Sequence, residues 1–197
     1  MKFMFPSIVA VPIAFFANYG LASDEALYGA EAPQDAVLVR FLGTPSEGGN
    51  NVYGWNFETE EADPSYSVIS AALLSNTPET TFTTVFVDEQ GREVVFHEPD
   101  RTSSSKVHLL LMNATNESVS LVANDGALEV IGDTEFAKVG MRAVNPISVE
   151  LSVVRGPDLE VVASFDVSLR RGEDISFVVT DDSVEMVPTS YGAVITD

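Results

Sequence analysis

The hydrophobic pattern of this chain is that of short β-strands separated by polar turns. Apolar residues alternate with polar ones or form short runs, and beyond the first residues no stretch keeps the i, i+3, i+4, i+7 spacing of a substantial amphipathic helix. The clearest unit is a hairpin in which residues 80–87 and 92–97 flank the polar turn Asp88-Glu89-Gln90-Gly91. The pattern therefore predicts an all-β protein.

The second half contains the more regular series of predicted strands. The first three are expected to form a meander, because the tight turn Asn124-Asp125-Gly126 joins the second strand to the third. So many short strands in one segment are typical of a β-sandwich. The predicted strands of this half are 107–112, 118–123, 127–131, 136–144, 147–154, 161–169, 175–180 and 184–187.

A polar segment divides the two halves. Residues 98–105 lose the apolar character of the strands on either side, which is typical of a linker. The strand Val37–Thr44 also aligns with Val107–Ala114 at an offset of 70 residues, a weak internal repeat. We therefore predict two consecutive β-sandwich (Ig-like) domains, residues 23–100 and 106–197, joined by a linker at 101–105.

The N-terminus has the order of a secretory signal. Lys2 precedes an almost unbroken apolar run, and Gly20-Leu21-Ala22 supplies the small residues before an acidic stretch. The run is shorter than the roughly 20 residues of a membrane-spanning helix and contains two prolines, which favours cleavage over permanent anchoring. Residues 1–22 are therefore predicted to be a signal peptide, cleaved after Ala22, and the mature chain to be exported without a transmembrane segment.

Composition narrows the possible partners. The chain has no cysteine, so each domain must be held together by burial without disulfides. Against 30 acidic residues stand 10 basic ones, which gives a formal charge of −20 at pH 7. Such a surface repels phosphate backbones and anionic lipid headgroups, so nucleic acid is excluded as a partner.

The sequence offers no catalytic constellation. His97 and His108 are the only histidines, and no G-x-S-x-G motif supplies a serine nucleophile for either of them. Nor are the histidines spaced as metal ligands. We therefore expect no catalysis by this chain alone, no metal and no cofactor, and interpret both histidines as surface or interstrand residues.

One aromatic stretch could contact a ligand. If residues 52–57 form a single strand, alternation places Tyr53, Trp55 and Phe57 on one face of it. Sugar rings stack on such faces, which suits a carbohydrate platform. The same three rings could instead form the core of the first domain, since aromatic side chains dominate small cores.

Four arginines of the second half are the basic residues most able to bind carboxylates, because guanidinium groups do so with two parallel hydrogen bonds. Arg142, Arg170 and Arg171 are retained as candidate contacts for a carbohydrate or a protein partner, together with Arg155. The alternative is that they form salt bridges beside turns on an acidic surface.

Several segments in a fixed order resemble AlgF-type proteins, the periplasmic accessory proteins of alginate O-acetylation. In the first half these are Ala26-Leu27-Tyr28-Gly29-Ala30-Glu31-Ala32-Pro33 and the strand Leu38–Phe41. The second half agrees better. Its matching segments are Val107–Asn113, Asn124-Asp125-Gly126, Arg142–Val149 and Ser168–Glu173.

This resemblance implies a two-sandwich periplasmic adaptor without catalytic residues of its own. Its partners would be a membrane-bound O-acyltransferase and periplasmic acetyltransferases that modify a uronic-acid exopolysaccharide. Contact with the polysaccharide itself is also possible on this basis. Two alternatives stay open: a secreted carbohydrate-binding module that uses the aromatic strand face, and a free-standing acetyltransferase or esterase, for which we expect no turnover.

Overall fold

The structure is a computed structural model that describes residues 32–44, 48–57, 63–76, 78–101 and 103–195. These residues form β-strands and one turn of 3₁₀ helix, Ala71–Leu73, and contain no α-helix, which confirms the predicted all-β fold. No helix in the described ranges is long and apolar enough to cross a membrane. The predicted signal peptide lies outside the described residues.

The strands are numbered in chain order. They are β1 Ala36–Gly43, β2 Asn50–Val52, β3 Trp55–Phe57, β4 Tyr66–Ser70, β5 Phe82–Val87, β6 Glu93–Glu98, β7 Val107–Asn113, β8 Val119–Ala123, β9 Leu128–Thr134, β10 Val139–Val144, β11 Ser148–Arg155, β12 Glu160–Ser168, β13 Ile175–Val179, β14 Val184–Pro188 and β15 Tyr191–Ile195.

Three larger sheets and one small hairpin make up the fold. The first sheet has the order β15-β4-β1-β5-β6, the second β10-β7-β13-β14 and the third β12-β11-β8-β9. Strands β2 and β3 pair only with each other. The hairpin predicted around Asp88–Gly91 is confirmed as β5 and β6, which pair antiparallel from Phe82↔Glu98 to Val87↔Glu93.

The first and second sheets share one topology. In the first, β1 pairs antiparallel with β4 and parallel with β5, and β5 pairs antiparallel with β6. In the second, β7 pairs antiparallel with β10 and parallel with β13, and β13 pairs antiparallel with β14. Strands β1 and β7 are the two segments related by the offset of 70 residues, so the internal repeat has a structural counterpart.

Three buried apolar clusters lie against these sheets. The second and third sheets enclose a sandwich core around Leu109, Leu121 and Phe177. The opposite face of the second sheet packs against the first sheet through side chains such as Met112 and Phe96. A third cluster on the far face of the first sheet includes Phe57 of the small hairpin.

The predicted meander is only partly right. Strands β8 and β9 form the expected hairpin, and Asn124, Asp125 and Gly126 all have positive φ in its turn. Strand β7, however, lies in the second sheet and β8 in the third. The reason is that β7 is apolar and buried on both faces, which suits a strand inside a sheet covered on both sides.

Side chains from both sides of the predicted linker share a core. Leu42 and Phe86 of the first sheet pack in the same buried cluster as Leu110 and Val178 of the second. The last strand, β15, pairs parallel with β4 of the first sheet, although it falls within the predicted second domain. The division at 101–105 stays a prediction, and the sheets on either side of it are in direct contact.

Candidate functional site

Arg40 is wholly buried in the middle of the first sheet. Alternation along β1 places it on the same face as Leu42, which packs toward the second sheet. Its Nε donates a hydrogen bond of 2.7 Å to Thr84 Oγ1, and its Nη2 donates one of 2.7 Å to Ser176 Oγ on β13. A buried charge requires such partners, so Arg40 ties the two sheets together.

Glu98, at the end of β6, supplies the opposite charge and is also fully buried. The Tyr66 hydroxyl lies 2.7 and 2.8 Å from its two oxygens and donates to this carboxylate. Thr84 Oγ1 also donates to it, and the Arg40 guanidinium is 3.8 Å away. Glu98 therefore collects three side chains of the first sheet around one carboxylate.

Arg101, the first residue of the predicted linker, connects Glu98 to Asp174 of the second half. Its Nη2 donates to Glu98 Oε2 at 2.9 Å, and its Nε lies 3.0 Å from Asp174 Oδ2. The guanidinium also stacks 3.8 Å from the ring centre of Phe82. With a side chain only 6% exposed, Arg101 fixes the start of the segment that the sequence suggested was a polar tether.

Asp174 continues the cluster to His108 on β7. Its Oδ1 accepts a hydrogen bond of 2.9 Å from the His108 backbone N–H and lies 2.8 Å from Nδ1. His108 is thus an interior histidine, 3% exposed. An aspartate on Nδ1 orients catalytic histidines, but Nε2 of His108 has no hydrogen-bond partner among the described residues, so no nucleophile is placed for activation.

We call this set the buried ionic network: Arg40, Tyr66, Glu98, Arg101, Asp174 and His108. Burial and then the negative charge of Glu98 raise the pKa of the Tyr66 phenol. Burial opposes the charge of Arg101, but its neighbours Tyr66, Glu98 and Asp174 together hold the pKa of that guanidinium above its ordinary value. The network therefore keeps Tyr66 as a neutral donor and Arg101 as a cation.

The aromatic residues singled out in the sequence do not lie on one strand, so that premise is wrong. Val52 pairs with Trp55 across a tight turn in which Tyr53 and Gly54 both have positive φ, as a two-residue hairpin loop requires. Phe57 is buried, and Tyr53 and Trp55 pack half-buried against the third cluster. The Tyr53 hydroxyl contacts Thr83 Oγ1 at 2.9 Å and the exposed His97 at 3.3 Å.

The candidate arginines are separated in the structure. Arg170 and Arg171 are exposed in the turn between β12 and β13. Arg155 is engaged by its own chain, since its Nη2 donates to the backbone carbonyl of Thr180 at 2.8 Å. Arg142 is exposed on β10, where it lines a groove.

This groove, which we call the β9–β10 groove, has a volume of about 670 Å³. It runs where edge strand β9 of the third sheet contacts edge strand β10 of the second. Its polar and charged lining consists of Ser118, Asp133, Thr134, Glu135, Lys138 and Arg142.

Sequence reasoning missed the buried ionic network. One signal for it was present: Arg40 interrupts the apolar run Val37–Leu42 at a position that alternation directs inward. The other members come from β4, β6, β7 and two connections, and no local pattern indicates that they meet. The groove was missed for the same reason, apart from Arg142.

Sequence comparison finds known proteins that are similar to this chain over most of its length. No family model matches it. The alginate biosynthesis protein AlgF of Pseudomonas syringae pv. tomato is 25% identical over 198 residues, which cover 91% of this chain and 86% of that protein. AlgF of Azotobacter vinelandii is 25% identical over 85% of this chain and 82% of its own length. AlgF of Pseudomonas putida is 23% identical over 91% and 93% respectively.

A solved structure of the C-terminal domain of AlgF from P. aeruginosa is 24% identical to 43% of this chain and is covered over 96% of its length. Its TM-score of 0.36 is too low to support a comparison of folds. The sequence comparisons do not depend on that structure. The AlgF relatives match both halves of this chain at 23–25% identity. The chain is therefore similar in sequence to AlgF proteins over most of its length.

Proposed function

We propose that this chain acts in alginate biosynthesis, as a periplasmic adaptor without catalytic activity of its own in the O-acetylation of the polymer. It would link a membrane-bound O-acyltransferase to periplasmic acetyltransferases. The observation that carries the proposal is the match to four AlgF proteins over most of this chain and of theirs. The signal-like N-terminus supports the periplasmic location.

The buried ionic network supports an adaptor role. An adaptor must hold two binding surfaces at a constant spacing, and a flexible tether between its halves would lose that spacing. Here Arg40 contacts Ser176, and Arg101 lies against both Glu98 and Asp174. Surfaces on the first and second sheets would therefore keep one relative orientation.

The chemistry of the described residues supports a role without catalysis. His108 is buried and oriented by Asp174, yet no hydroxyl reaches its Nε2 within the part of the chain that the structure describes. The periplasm holds no cytosolic acyl-CoA, so an acetylation step there needs an acyl group from a membrane partner. The chain would bring the acyl donor and the acceptor enzyme together.

The alternative of a carbohydrate module with an aromatic strand face has less support. That face does not exist as predicted, because the stretch folds back at Tyr53 and Gly54. Trp55 and Phe57 pack against the apolar cluster of the first sheet. The rings therefore do not form the continuous exposed face that a sugar-binding platform requires.

Deletion and complementation in an alginate-producing host test the proposal. We expect deletion of the gene to abolish acetyl esters on the polymer while polymer yield is retained, and the wild-type gene to restore them. A tagged chain is expected to co-purify with a periplasmic acetyltransferase. Unchanged acetylation after deletion would contradict the proposal, as would hydrolysis or transfer of a generic acetyl ester by the purified chain alone.

A further inference from the structure

The two strands of the β9–β10 groove approach each other closely at Gly140. A Cβ atom at Gly140 would lie 2.4 Å from Ile131 Cγ2 and 2.7 Å from Thr134 Oγ1. Two side chains of β9 therefore lie directly against Gly140, where a glycine leaves room for them.

One cation lies on either side of Gly140 in the chain. Lys138, Gly140 and Arg142 alternate along the same face of the chain that forms β10. At about 3.3 Å per residue, the Cα atoms of Lys138 and Arg142 are roughly 13 Å apart. The groove therefore presents one positive charge on either side of Gly140.

These two cations are not used by the protein itself. Arg40 and Arg101 belong to the buried ionic network, and three further bases have partners: Arg92 with Asp88, Lys106 with Asn145, and Arg155 with the carbonyl of Thr180. No ion pair or side-chain hydrogen bond of Lys138 or Arg142 occurs in the described ranges. In a chain with 30 acidic residues, two unpaired cations in one groove are available to a ligand.

The rest of the lining is suited to hydroxyl groups. Asp133 and Glu135 contribute carboxylates that accept hydrogen bonds. A ligand with carboxylates alone would be repelled by half of these groups.

We propose that the β9–β10 groove binds an acidic sugar chain, a uronate oligosaccharide. Lys138 and Arg142 bind its carboxylates, and Asp133 and Glu135 bind its hydroxyls. The two classes of lining group match the two classes of polar group on such a sugar. The proposal rests on the proposed function, and adds to it a specific contact between this chain and the polymer.

The overall charge limits the strength of this contact. A formal charge of −20 repels a polyanion at long range. At physiological ionic strength such repulsion is screened beyond about 8 Å, whereas contacts inside the groove are shorter than that. Binding is therefore expected to be weak, and to pass through a maximum with added salt, which screens the repulsion first and the groove contacts later.

The test is titration of the purified chain with an alginate hexasaccharide, followed by calorimetry or by NMR shifts. We expect the double variant Lys138→Ala/Arg142→Ala to bind at least about tenfold more weakly than wild type, since two charge-assisted contacts are lost. The matched control Arg170→Ala/Arg171→Ala loses the same charge outside the groove and should stay within about twofold. A neutral hexasaccharide of glucose should not bind. Unchanged urea midpoints confirm that all variants are folded.

Several results would overturn the proposal: no binding by wild type at any salt concentration, an equal loss in both double variants, or equal binding of the neutral sugar. A Lys138→Ala/Arg142→Ala chain that binds the sugar normally but no longer co-purifies with the acetyltransferase would identify the groove as a protein-docking surface. The gene deletion tests the proposed function separately, because acetylation can depend on this chain whether or not the groove binds sugar.

Discussion

The Nε atom of Arg101 lies 3.0 Å from Oδ2 of Asp174, so a residue between the two halves of the chain is paired with one at the start of β13. The same guanidinium reaches Glu98 at the end of β6. Both carboxylates are almost inaccessible to solvent. The segment that joins the halves is thus attached at its first residue to both sheets.

Loss of the Arg101 side chain is expected to destabilise the fold strongly. Arg101→Ala leaves Glu98 and Asp174 without their cation, and removal of one partner from a buried ion pair costs about 3–5 kcal/mol. Urea denaturation of the purified chain measures this loss. The control is Arg92→Ala, whose pair with Asp88 is half exposed and should contribute less than about 1 kcal/mol. Equal effects of the two substitutions would contradict the role given to Arg101.

Tyr66 should make stability fall at alkaline pH. Its pKa is raised above the ordinary value of 10.0 by burial and by Glu98, so the folded state holds the phenol proton more tightly than the unfolded state. The resulting stability is fully present below pH 10 and is lost as pH rises toward the folded pKa, by up to about 1.4 kcal/mol per pH unit. The measurement is a series of urea curves above and below pH 10.

Two phenylalanine variants isolate this effect. Tyr66→Phe should have a shallower alkaline slope than wild type, together with lower stability at neutral pH, because Glu98 loses a donor. Tyr191→Phe, at a tyrosine that is 58% exposed, should leave the slope unchanged. An alkaline slope that is the same in all three proteins would rule out Tyr66 as its source.

Gly43 is expected to tolerate no side chain. Its φ is +86°, and a Cβ atom there would lie 2.1 Å from the carbonyl oxygen of Val87. Gly43→Ala should therefore cost more than the about 1–2 kcal/mol of a left-handed residue alone. Gly91→Ala is the control, because Gly91 has φ +78° but open space around it. If both variants lose the same stability in urea, the close approach at Gly43 contributes nothing.

Trp55→Ala distinguishes a core role from sugar binding. The Trp55 side chain packs half-buried against the cluster that holds Phe57, so its truncation should lower the free energy of unfolding by about 1–3 kcal/mol. Retention of the folded variant on an alginate affinity gel should match wild type. A stable variant that no longer binds alginate would instead show that the aromatic residues contact the sugar.

The local sequence pattern predicted the strands of this fold better than it predicted which strands pair with each other. The hairpins β5–β6 and β8–β9 follow from adjacent strands and their turns. The parallel pairs β1–β5 and β7–β13 join strands that are distant in sequence, and their selection depends on tertiary packing. At 52–57 the alternation was misleading, because Tyr53 and Gly54 form a turn inside it.

The candidate site was less predictable than the fold for a related reason. Arg142 could be selected by residue type, but only the contact of β9 with β10 shows that Lys138 lines the same groove. The buried ionic network draws single residues from six separate segments. The pairing of the strands decides which charged side chains are buried next to each other, and the sequence alone does not reveal that pairing.

The pairing of β15 with β4 also has a consequence for how the chain folds. The first sheet contains β1, which starts at Ala36, and β15, which ends at Ile195. Its β4 edge stays open until β15, far along the chain from β4, has been synthesised. Contacts of such sequence separation slow folding. Until Tyr191–Ile195 arrive, β4 is an exposed edge at which a chaperone or another nascent chain could bind.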